Sequence, residues 1–421
     1  MAFRKILVCT ALASASVPGL VLTARADGES PASAGLPGLA APAGGGSSAF
    51  TNSAATAVGL TPSGVSVTVS KTMLGKSRVT SAAVLPANPL APDDEYLFPA
   101  NAKVTAGFVD LYENFTVKPG SWGDVATLTF TFTRPVRDPL LHIFGMGGSA
   151  GDAKGRRDDF WPAIDLVSGT PAKPAFSQAA GFPGYRVTAN SIEPERVYLA
   201  KSTTCGVVYT CGTAKVNGTV TSFTVKLRAR DVRHGITGMA PQLWAAVKLS
   251  LTEDDSDAPA TYGAASHAIS DSYLGKSVTA DHRYAVSLTP RALPSDTDDD
   301  DALTGSPVPI TSDGRNFTVK IPVTAASAAS VAGWIDFDHN GRFDATERSV
   351  ANVAKGASTV ELSWAVPQTL QTGPTWMRLR LAADANGTAL STGWADSGEV
   401  EDHQVQLVQL VQAESTVKPA S

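Results

Sequence analysis

The dominant pattern in the chain is an alternation of apolar and polar residues with a period of two. Leu128, Phe130 and Phe132 alternate with threonines over residues 127–133. Such alternation is typical of a β-strand with one buried face. The same pattern recurs over residues 223–227, 317–323, 360–364 and 377–381, and in the last of these Arg378 and Arg380 occupy the polar positions. We therefore expect half-buried strands in these five segments.

Helical periodicity is weak throughout the chain. Windows of about a dozen residues keep apolar groups at helical spacing for only a turn or two, and Pro or Gly interrupts most of them. The pattern favours an all-β fold of two antiparallel β-sandwich domains. We expect a first sandwich over residues 51–250, a second sandwich over 251–411 and a tail over 412–421. The acidic, Pro-containing stretch 253–259 marks the junction.

The N-terminus has the pattern of an export signal. Arg4 and Lys5 precede the apolar run 6–21, and Ala24-Arg25-Ala26 forms a small-x-small cleavage site. The run is too short and too interrupted to remain as a membrane span. We therefore predict a signal peptide over 1–26 and a secreted, extracellular protein without a transmembrane segment, which is either released or held non-covalently at the cell surface. Residues 27–50, which are mostly Ala, Gly, Pro and Ser, are expected to be a flexible linker.

Composition and cysteine usage narrow the choice of function. Charged residues make up only 17% of the chain, and the formal net charge is -5. This balance excludes nucleic-acid binding driven by overall charge. Cys205 and Cys211 are the cysteines that remain after the signal peptide, and in an oxidising compartment we expect them to form a disulfide.

The strongest candidate for a functional site is a twelve-residue acidic segment over 336–347. Its spacing matches a calcium-binding loop. Gly341 permits the sharp turn, and Phe343 stands where such loops place an apolar side chain in the core. The expected oxygen ligands, one of them acting through water, are Asp336, Asp338, Asn340, the carbonyl of Arg342, Asp344 and Glu347.

The preceding residues 330–335 have the β-branched and aromatic pattern of a strand. An EF-hand loop follows a helix, so this loop is not part of an EF-hand. We predict a structural Ca²⁺ site. The alternative is an acidic, solvated hairpin turn, because Asp, Asn and Gly are also common turn residues.

Residues 255–411 resemble a GEVED domain, a β-rich module of exported and cell-surface bacterial proteins. The signature is spelled out at residues 398–402. Further similarity lies in Asp257-Ala-Pro259, Tyr262-Gly263, Ala265-Ser-His267, Trp334-Ile-Asp336 and Arg378-Leu-Arg380. One departure is His403, where the family usually has Tyr.

The signature carboxylates Glu399, Glu401 and Asp402 allow two interpretations. They could form a salt-bridged corner with Arg378 or Arg380, which we favour, or a second cation site with the acidic run 296–301.

Residues of about 50–250 resemble the second non-repetitive domain of CshA-type fibrillar adhesins. This similarity rests on residues 130–132 leading into 134–148, and on the segment from Cys205 to Cys211 leading into a strand at Gly218. The resemblance implies lectin-like, adhesive binding of an extracellular glycan or of a matrix or surface protein. CshA-type adhesins can also carry a GEVED-like region.

The segment 147–161 is the expected ligand-binding loop, because loops at one end of a sandwich usually contact ligands. Its candidate contact residues are Arg156, Arg157, Asp158 and Trp161. The alternative is a solvated surface loop with Trp161 packed into the core.

An enzymatic function is not expected, and no catalytic residue is assigned. Residues 147–151 match Gly-x-Ser-x-Gly around Ser149, but that motif requires a strand, a tight turn and a helix. The residues that follow have no apolar face with which a helix could pack. A glycan-active hydrolase with paired carboxylates remains an alternative, as does a purely structural surface spacer.

Overall fold

The computed structural model describes residues 56–60, 63–74, 78–83, 110–114, 118–146, 148–151, 155–182, 184–195, 210–235, 246–280, 301–368 and 370–409. These residues form strands almost throughout, and the prediction of an all-β fold is confirmed. The described helical segments are single 3₁₀ turns at Ala260–Tyr262 and Ala345–Glu347. None of the described helices is long or apolar enough to cross a membrane.

The first half contains strands β1 to β14. They are β1 Thr56–Leu60, β2 Ser66–Met73, β3 Arg78–Ala83, β4 Asp110–Asn114, β5 Trp122–Arg137, β6 Leu140–Met146, β7 Gly148–Gly151, β8 Arg157–Thr170, β9 Ala175–Gly181, β10 Tyr185–Val187, β11 Ser191–Pro194, β12 Thr210–Asn217, β13 Thr219–His234 and β14 Ala246–Ser250.

Two antiparallel sheets enclose the core of this half. The larger has the order β1-β2-β5-β13-β8-β11-β10, with β7 paired to β8, and the smaller has the order β14-β6-β12-β9. Phe130 of β5 stacks on Phe223 of β13 with a centroid distance of 4.8 Å. Residues of both sheets, such as Val225 and Ile143, belong to one buried cluster. The apolar positions of β5 and β13 therefore face inward, as the alternation predicts.

The second half contains strands β15 to β25. They are β15 Glu253–Asp255, β16 Ala265–Ala268, β17 Ser272–Leu274, β18 Val308–Ser312, β19 Asn316–Ala325, β20 Ala329–Ile335, β21 Arg348–Val353, β22 Thr359–Ala365, β23 Gly373–Ala382, β24 Gly393–Ala395 and β25 Glu399–Gln409.

These strands also form one large and one small sheet. The large sheet has the order β17-β19-β18-β25-β23-β20-β21, with β22 paired to β19, and the small sheet has the order β15-β16-β24. Most pairs are antiparallel, but β25 runs parallel to β18 and β24 runs parallel to β16. A second buried cluster, which includes Phe317, Leu379 and Val405, fills the interior of this half.

The expectation that β23 is half-buried was wrong. Its apolar residues face the core as predicted, but Arg378 and Arg380 on the other face are also fully buried. The small sheet and the segment 384–395 lie over that face, where carbonyls of Ser391 and Leu390 accept hydrogen bonds from the two arginines. A period-two pattern shows which residues share a face, but it does not show whether a later part of the chain covers that face.

The acidic junction stretch is packed rather than extended into solvent. Glu253, Asp254 and Asp255 form β15 and are buried, and Asp254 Oδ2 accepts a 2.6 Å hydrogen bond from the backbone N–H of Val400. The boundary near residue 251 stays a prediction. A lateral contact also joins the two halves, because Arg134 of β5 makes ion pairs with Asp384 and Asp396.

Candidate metal centre

The acidic segment begins where β20 ends. Ile335 closes that buried strand, residues 336–344 form a loop, and the 3₁₀ turn Ala345–Glu347 leads into β21. Gly341 lies at a φ of 77°, a left-handed conformation that favours glycine. The loop therefore connects neighbouring strands and has no helix before it, as the sequence indicates.

Three carboxylates of the loop converge. Asp336, Asp338 and Glu347 can each offer an oxygen such that these oxygens lie within 4.8 Å of one another. Asp336 and Glu347 are buried. Burial, followed by the nearby charges of Asp336 and Asp338, raises the pKa of Glu347 to about 7. Three negative groups at this spacing repel one another, and a divalent cation would relieve that repulsion.

Backbone hydrogen bonds hold two of these carboxylates in place. Asp336 Oδ1 accepts from the N–H of Asn340 at 3.0 Å, and Oδ2 accepts from the N–H of Gly341 at 2.9 Å. Glu347 Oε1 accepts from the N–H of Phe337 at 2.7 Å. The loop is therefore ordered by its own amides, and the carboxylates keep lone pairs for a further ligand.

The remaining predicted ligands lie outside this trio of carboxylates. The side-chain amide of Asn340 donates to Asp344 Oδ2 at 2.9 Å, and Asn340 Oδ1 accepts from the N–H of Arg342 at 2.8 Å. Asp344 is not part of the group of three converging carboxylates, and its contact with a metal through water stays a prediction. Ligation by Asn340 and by the Arg342 carbonyl stays a prediction.

Tyr262, which lies in the 3₁₀ turn just after the junction stretch, contacts this loop in a way that the sequence did not predict. Its hydroxyl donates a 2.7 Å hydrogen bond to Asp336 Oδ2, and its ring lies 4.6 Å from that of Phe343. Burial, followed by the hydrogen bond to Asp336, raises the pKa of Tyr262. The tyrosine belongs to the stretch that resembles the start of a GEVED domain, but no spacing rule pairs it with a residue 74 positions later.

Carboxylates at the start of β25 anchor distant backbone segments. Glu399 Oε2 accepts from the N–H of Leu274 at 2.5 Å, and Glu401 accepts from the N–H of Ala302 at 3.1 Å. Gly398, just before them, has a φ of 96°, and a Cβ there would lie 1.8 Å from the carbonyl oxygen of Leu381. Glycine is therefore required at that position.

Asp402, the third carboxylate at the start of β25, forms a buried ion pair with Arg378. Its two oxygens accept from Arg378 Nε at 2.7 Å and Nη2 at 2.8 Å. Asp402 Oδ2 also accepts from the N–H of Ala258 at 2.7 Å. The favoured salt-bridged corner is therefore formed by Arg378 and Asp402, whereas Glu399 and Glu401 bind backbone amides.

Arg380, the second buried arginine, is held by neutral acceptors. Its Nε donates to His267 Nε2 at 2.8 Å, and its other nitrogens donate to carbonyls, including that of Gly393. Burial, followed by the charge of Arg378, lowers the pKa of Arg380 to about 9. Its guanidinium therefore remains charged at neutral pH.

The comparisons with known proteins identify this part of the chain. A family model for the GEVED domain matches residues 330–406. These residues form a GEVED domain. No curated protein sequence matches the chain. Among solved structures, the N-terminal domain of the Streptococcus gordonii adhesin Sgo0707 is similar at 8% identity, with 87% of this chain and 82% of that chain covered and a TM-score of 0.24.

His403 of the GEVED domain lies between two carboxylates. Its Nε2 is 2.9 Å from Glu401 Oε2, and its Nδ1 is 3.8 Å from Asp301 Oδ1. Burial lowers the pKa of this imidazole, but the hydrogen bond to Glu401 and the surrounding carboxylates outweigh burial and raise it overall. Because the carboxylates meet different ring nitrogens, the arrangement suits a charged imidazolium. Of the acidic run 296–301 in the alternative cation site, the structure describes Asp301, which lies with Glu401 and His403 in a group that could hold a metal ion. Residues 296–300 lie outside the described part of the chain, so this second cation site stays a prediction.

The predicted ligand loop of the first half is mostly strand. Gly148–Gly151 and Arg157–Thr170 pair as β7 and β8, so the prediction of a loop over 147–161 was wrong for most of its length. Ser149 and the two glycines of β7 pair with residues of β8 instead of forming a turn. Arg156 is exposed. Trp161 is buried at 4% exposure, as the alternative interpretation expected, but it does not belong to the buried cluster between the two sheets. The side chains of Arg157 and Asp158 lie outside the described part.

The Gly-x-Ser-x-Gly match does not form a nucleophile elbow, because Ser149 lies within strand β7 and its backbone pairs with Asp159. His234 Nε2 bonds to Asp159 Oδ2 at 2.7 Å. The side chain of Ser149 lies outside the described part of the chain.

Four other predictions depend on residues outside the described part of the chain: the signal peptide, the linker, the tail and the disulfide. Cys205 also lies outside the described residues, and of Cys211 only the backbone, in β12, is described. Their disulfide stays a prediction.

Proposed function

We propose that this chain is a secreted bacterial surface or matrix protein that binds an extracellular glycan or protein, and that a calcium ion stabilises its GEVED domain. The observation that carries the calcium proposal is the convergence of carboxylate oxygens from Asp336, Asp338 and Glu347 within 4.8 Å. Hard oxygen donors at this density suit Ca²⁺.

In this proposal the calcium ion supplies positive charge and has no catalytic role. Asp336, Asp338 and Glu347 would hold it directly, Asn340 and the carbonyl of Arg342 would complete its oxygen shell, and Asp344 would contact it through water. The ion would offset the repulsion that raises the pKa of Glu347. It would thereby stabilise the turn between β20 and β21, which contacts Tyr262 of the junction.

The calcium proposal is tested by thermal unfolding. Extracellular calcium modules bind with dissociation constants of about 10⁻⁴ to 10⁻³ M. At 10 mM Ca²⁺ we therefore expect a gain of about 1.4–2.7 kcal/mol, or about 3–10 °C in Tm. Asp338→Asn should abolish most of this increment. Asp313→Asn, at an exposed turn aspartate that accepts N–H bonds from Arg315 and Asn316, is the matched control and should keep it. A Tm that is the same in EDTA and in Ca²⁺ would remove the proposal.

The binding proposal is tested with an array of neutral glycans, acidic glycans and matrix proteins. The resemblance of the first half to CshA-type adhesins supports binding, and so does the GEVED domain of the second half. Retention of a ligand without product formation is the expected result. Release of a sugar product would favour the glycan-active hydrolase, and failure to retain any ligand would favour the structural spacer.

A further inference from the structure

Two tryptophans and an arginine form a row across three neighbouring strands of the large first sheet. Arg230 of β13 lies opposite Trp122 of β5 on one side and opposite Trp161 of β8 on the other. Directly opposite residues of antiparallel strands share a face, so the three side chains are neighbours. This face points away from the core, since the adjacent residue Ala229 belongs to the buried cluster. Trp122 is 39% exposed, which makes it one of the few exposed large apolar residues.

Arg230 lies against the ring of Trp161. Its guanidinium carbon lies 5.7 Å from the ring centroid of Trp161, and its Nε is buried without a hydrogen-bond partner. It makes no ion pair with the described residues, although it is half-buried. Partial burial of an unpaired charge is unfavourable, and a cation–π contact offsets only part of that cost.

The other cations of this face are compensated. Arg228 Nη2 lies 2.7 Å from Asp165 Oδ1, and Lys226 Nζ lies 3.4 Å from Asp124 Oδ1. Among the described residues, Arg230 is therefore the one of these three cations without an ion pair. Nε1 of the buried Trp161 is a further N–H without a partner in the described part of the chain. Within the row, the two unpartnered groups, Arg230 Nε and Trp161 Nε1, are both donors.

We propose that this row, Trp122, Arg230 and Trp161, binds a carboxylate-bearing sugar unit of an acidic glycan. The inference names the ligand class for the binding function proposed above and rests on it. The carboxylate would accept hydrogen bonds from Arg230. The C–H face of the sugar ring would pack on the exposed part of the Trp122 indole, whose ring centroid lies 5.1 Å from the guanidinium carbon of Arg228.

An acidic peptide fits this place less well. Peptides that add to a sheet need an unpaired strand edge, but β13 is hydrogen-bonded to β5 and β8 on its two sides. The face instead offers the partly exposed indole of Trp122 beside the guanidinium of Arg230. A sugar acid carries an apolar ring face, which suits the indole, and a carboxylate on the same ring, which suits the arginine.

The test is calorimetric titration of the full chain with trigalacturonate, in EDTA so that calcium does not contribute. The fully methyl-esterified trisaccharide and a tri-aspartate peptide are titrated in parallel. We expect wild-type protein to bind trigalacturonate at least tenfold more tightly than either. Arg230→Gln and Trp122→Ala should each weaken binding at least tenfold, and Arg230→Lys should weaken it less. Arg186→Gln, at an exposed arginine of β10 that pairs with Glu193, is the control and should bind as wild type does.

Each other outcome overturns the inference. Equal affinity for the ester or the peptide would do so, and so would unchanged affinity in Arg230→Gln, provided that its melting curve matches that of the wild type. If Arg230→Gln does not fold, Arg230→Lys and Trp122→Ala decide in the same way. Absence of trigalacturonate binding, together with retention of a neutral glycan or a protein on the array, would overturn the inference alone. Absence of all binding would overturn the proposed function as well.

Discussion

The hydroxyl of Tyr262 donates a 2.7 Å hydrogen bond to Oδ2 of Asp336, and this contact joins the junction region to the first residue of the acidic loop. Removal of one buried hydrogen bond typically costs about 1–2 kcal/mol. We therefore expect Tyr262→Phe to lower the free energy of unfolding by about that amount, measured by urea denaturation. Tyr273→Phe is the matched control, since the Tyr273 hydroxyl makes only an exposed 3.4 Å contact with the carbonyl of Lys276. Equal stability of the two variants would contradict the expectation.

The calcium response should depend on pH through Glu347. Its pKa is raised to about 7, so the metal-free folded protein holds a proton there between about pH 4.5 and 7. Stability from this proton is lost as the pH rises through 7, and below 7 calcium must displace the proton. The increase in Tm caused by Ca²⁺ should therefore be larger at pH 8 than at pH 5.5. Glu347→Gln should lose most of the calcium response, whereas Glu361→Gln, at an exposed position of β22, should keep both the response and its pH dependence.

The buried pair Arg378 and Asp402 should be costly to break. Both side chains have 0% exposure, and removal of one partner leaves a buried charge. Arg378→Met is expected to destabilise the protein by about 3–5 kcal/mol. Arg186→Met is the control, because Arg186 is 59% exposed in its pair with Glu193 and such exposed pairs contribute at most about 1 kcal/mol. Comparable midpoints for the two variants in urea would show that the buried pair is not a main support of this corner.

Two buried histidines should give opposite pH dependences. Burial, followed by the charge of Arg380, lowers the pKa of His267 well below its usual value of 6.5. The stability that neutral His267 provides is therefore present above about pH 6.5 and lost as the pH falls toward its folded pKa. The pKa of His403 is raised, so its contribution is present below about 6.5 and lost as the pH rises through its folded pKa.

Urea unfolding from pH 5 to 8 checks both expectations. His267→Asn should flatten the acid side of the curve of unfolding free energy against pH. His403→Gln should flatten the other side. A variant that shifts the whole curve without changing its slope would show that the histidine is only a packing residue.

Much of the fold could be predicted from local patterns, because side chains alternate along a strand whatever its partners are. The β5, β13, β19 and β22 segments illustrate this, and so does the acidic loop after β20. The burial of Arg378 and Arg380 could not be predicted, since β15, β16 and residues 384–395 cover them only in the tertiary structure. The contact of Tyr262 with Asp336 and the row around Arg230 likewise depend on strand order and register. An alternation with a period of two shows which residues share one face of a strand, but it does not show which residues lie next to them in the folded protein.

The parallel pairing of β18 with β25 affects how the protein would respond to mechanical force. β25 lies between β18 and β23: residues 399–407 pair with β23 and residues 405–409 pair with β18. Tension applied through the residues after β25 would load both hydrogen-bond ladders in shear, so that many bonds must break together rather than one at a time. A protein exposed to fluid flow while attached to a surface would gain resistance to being pulled apart from such a central strand.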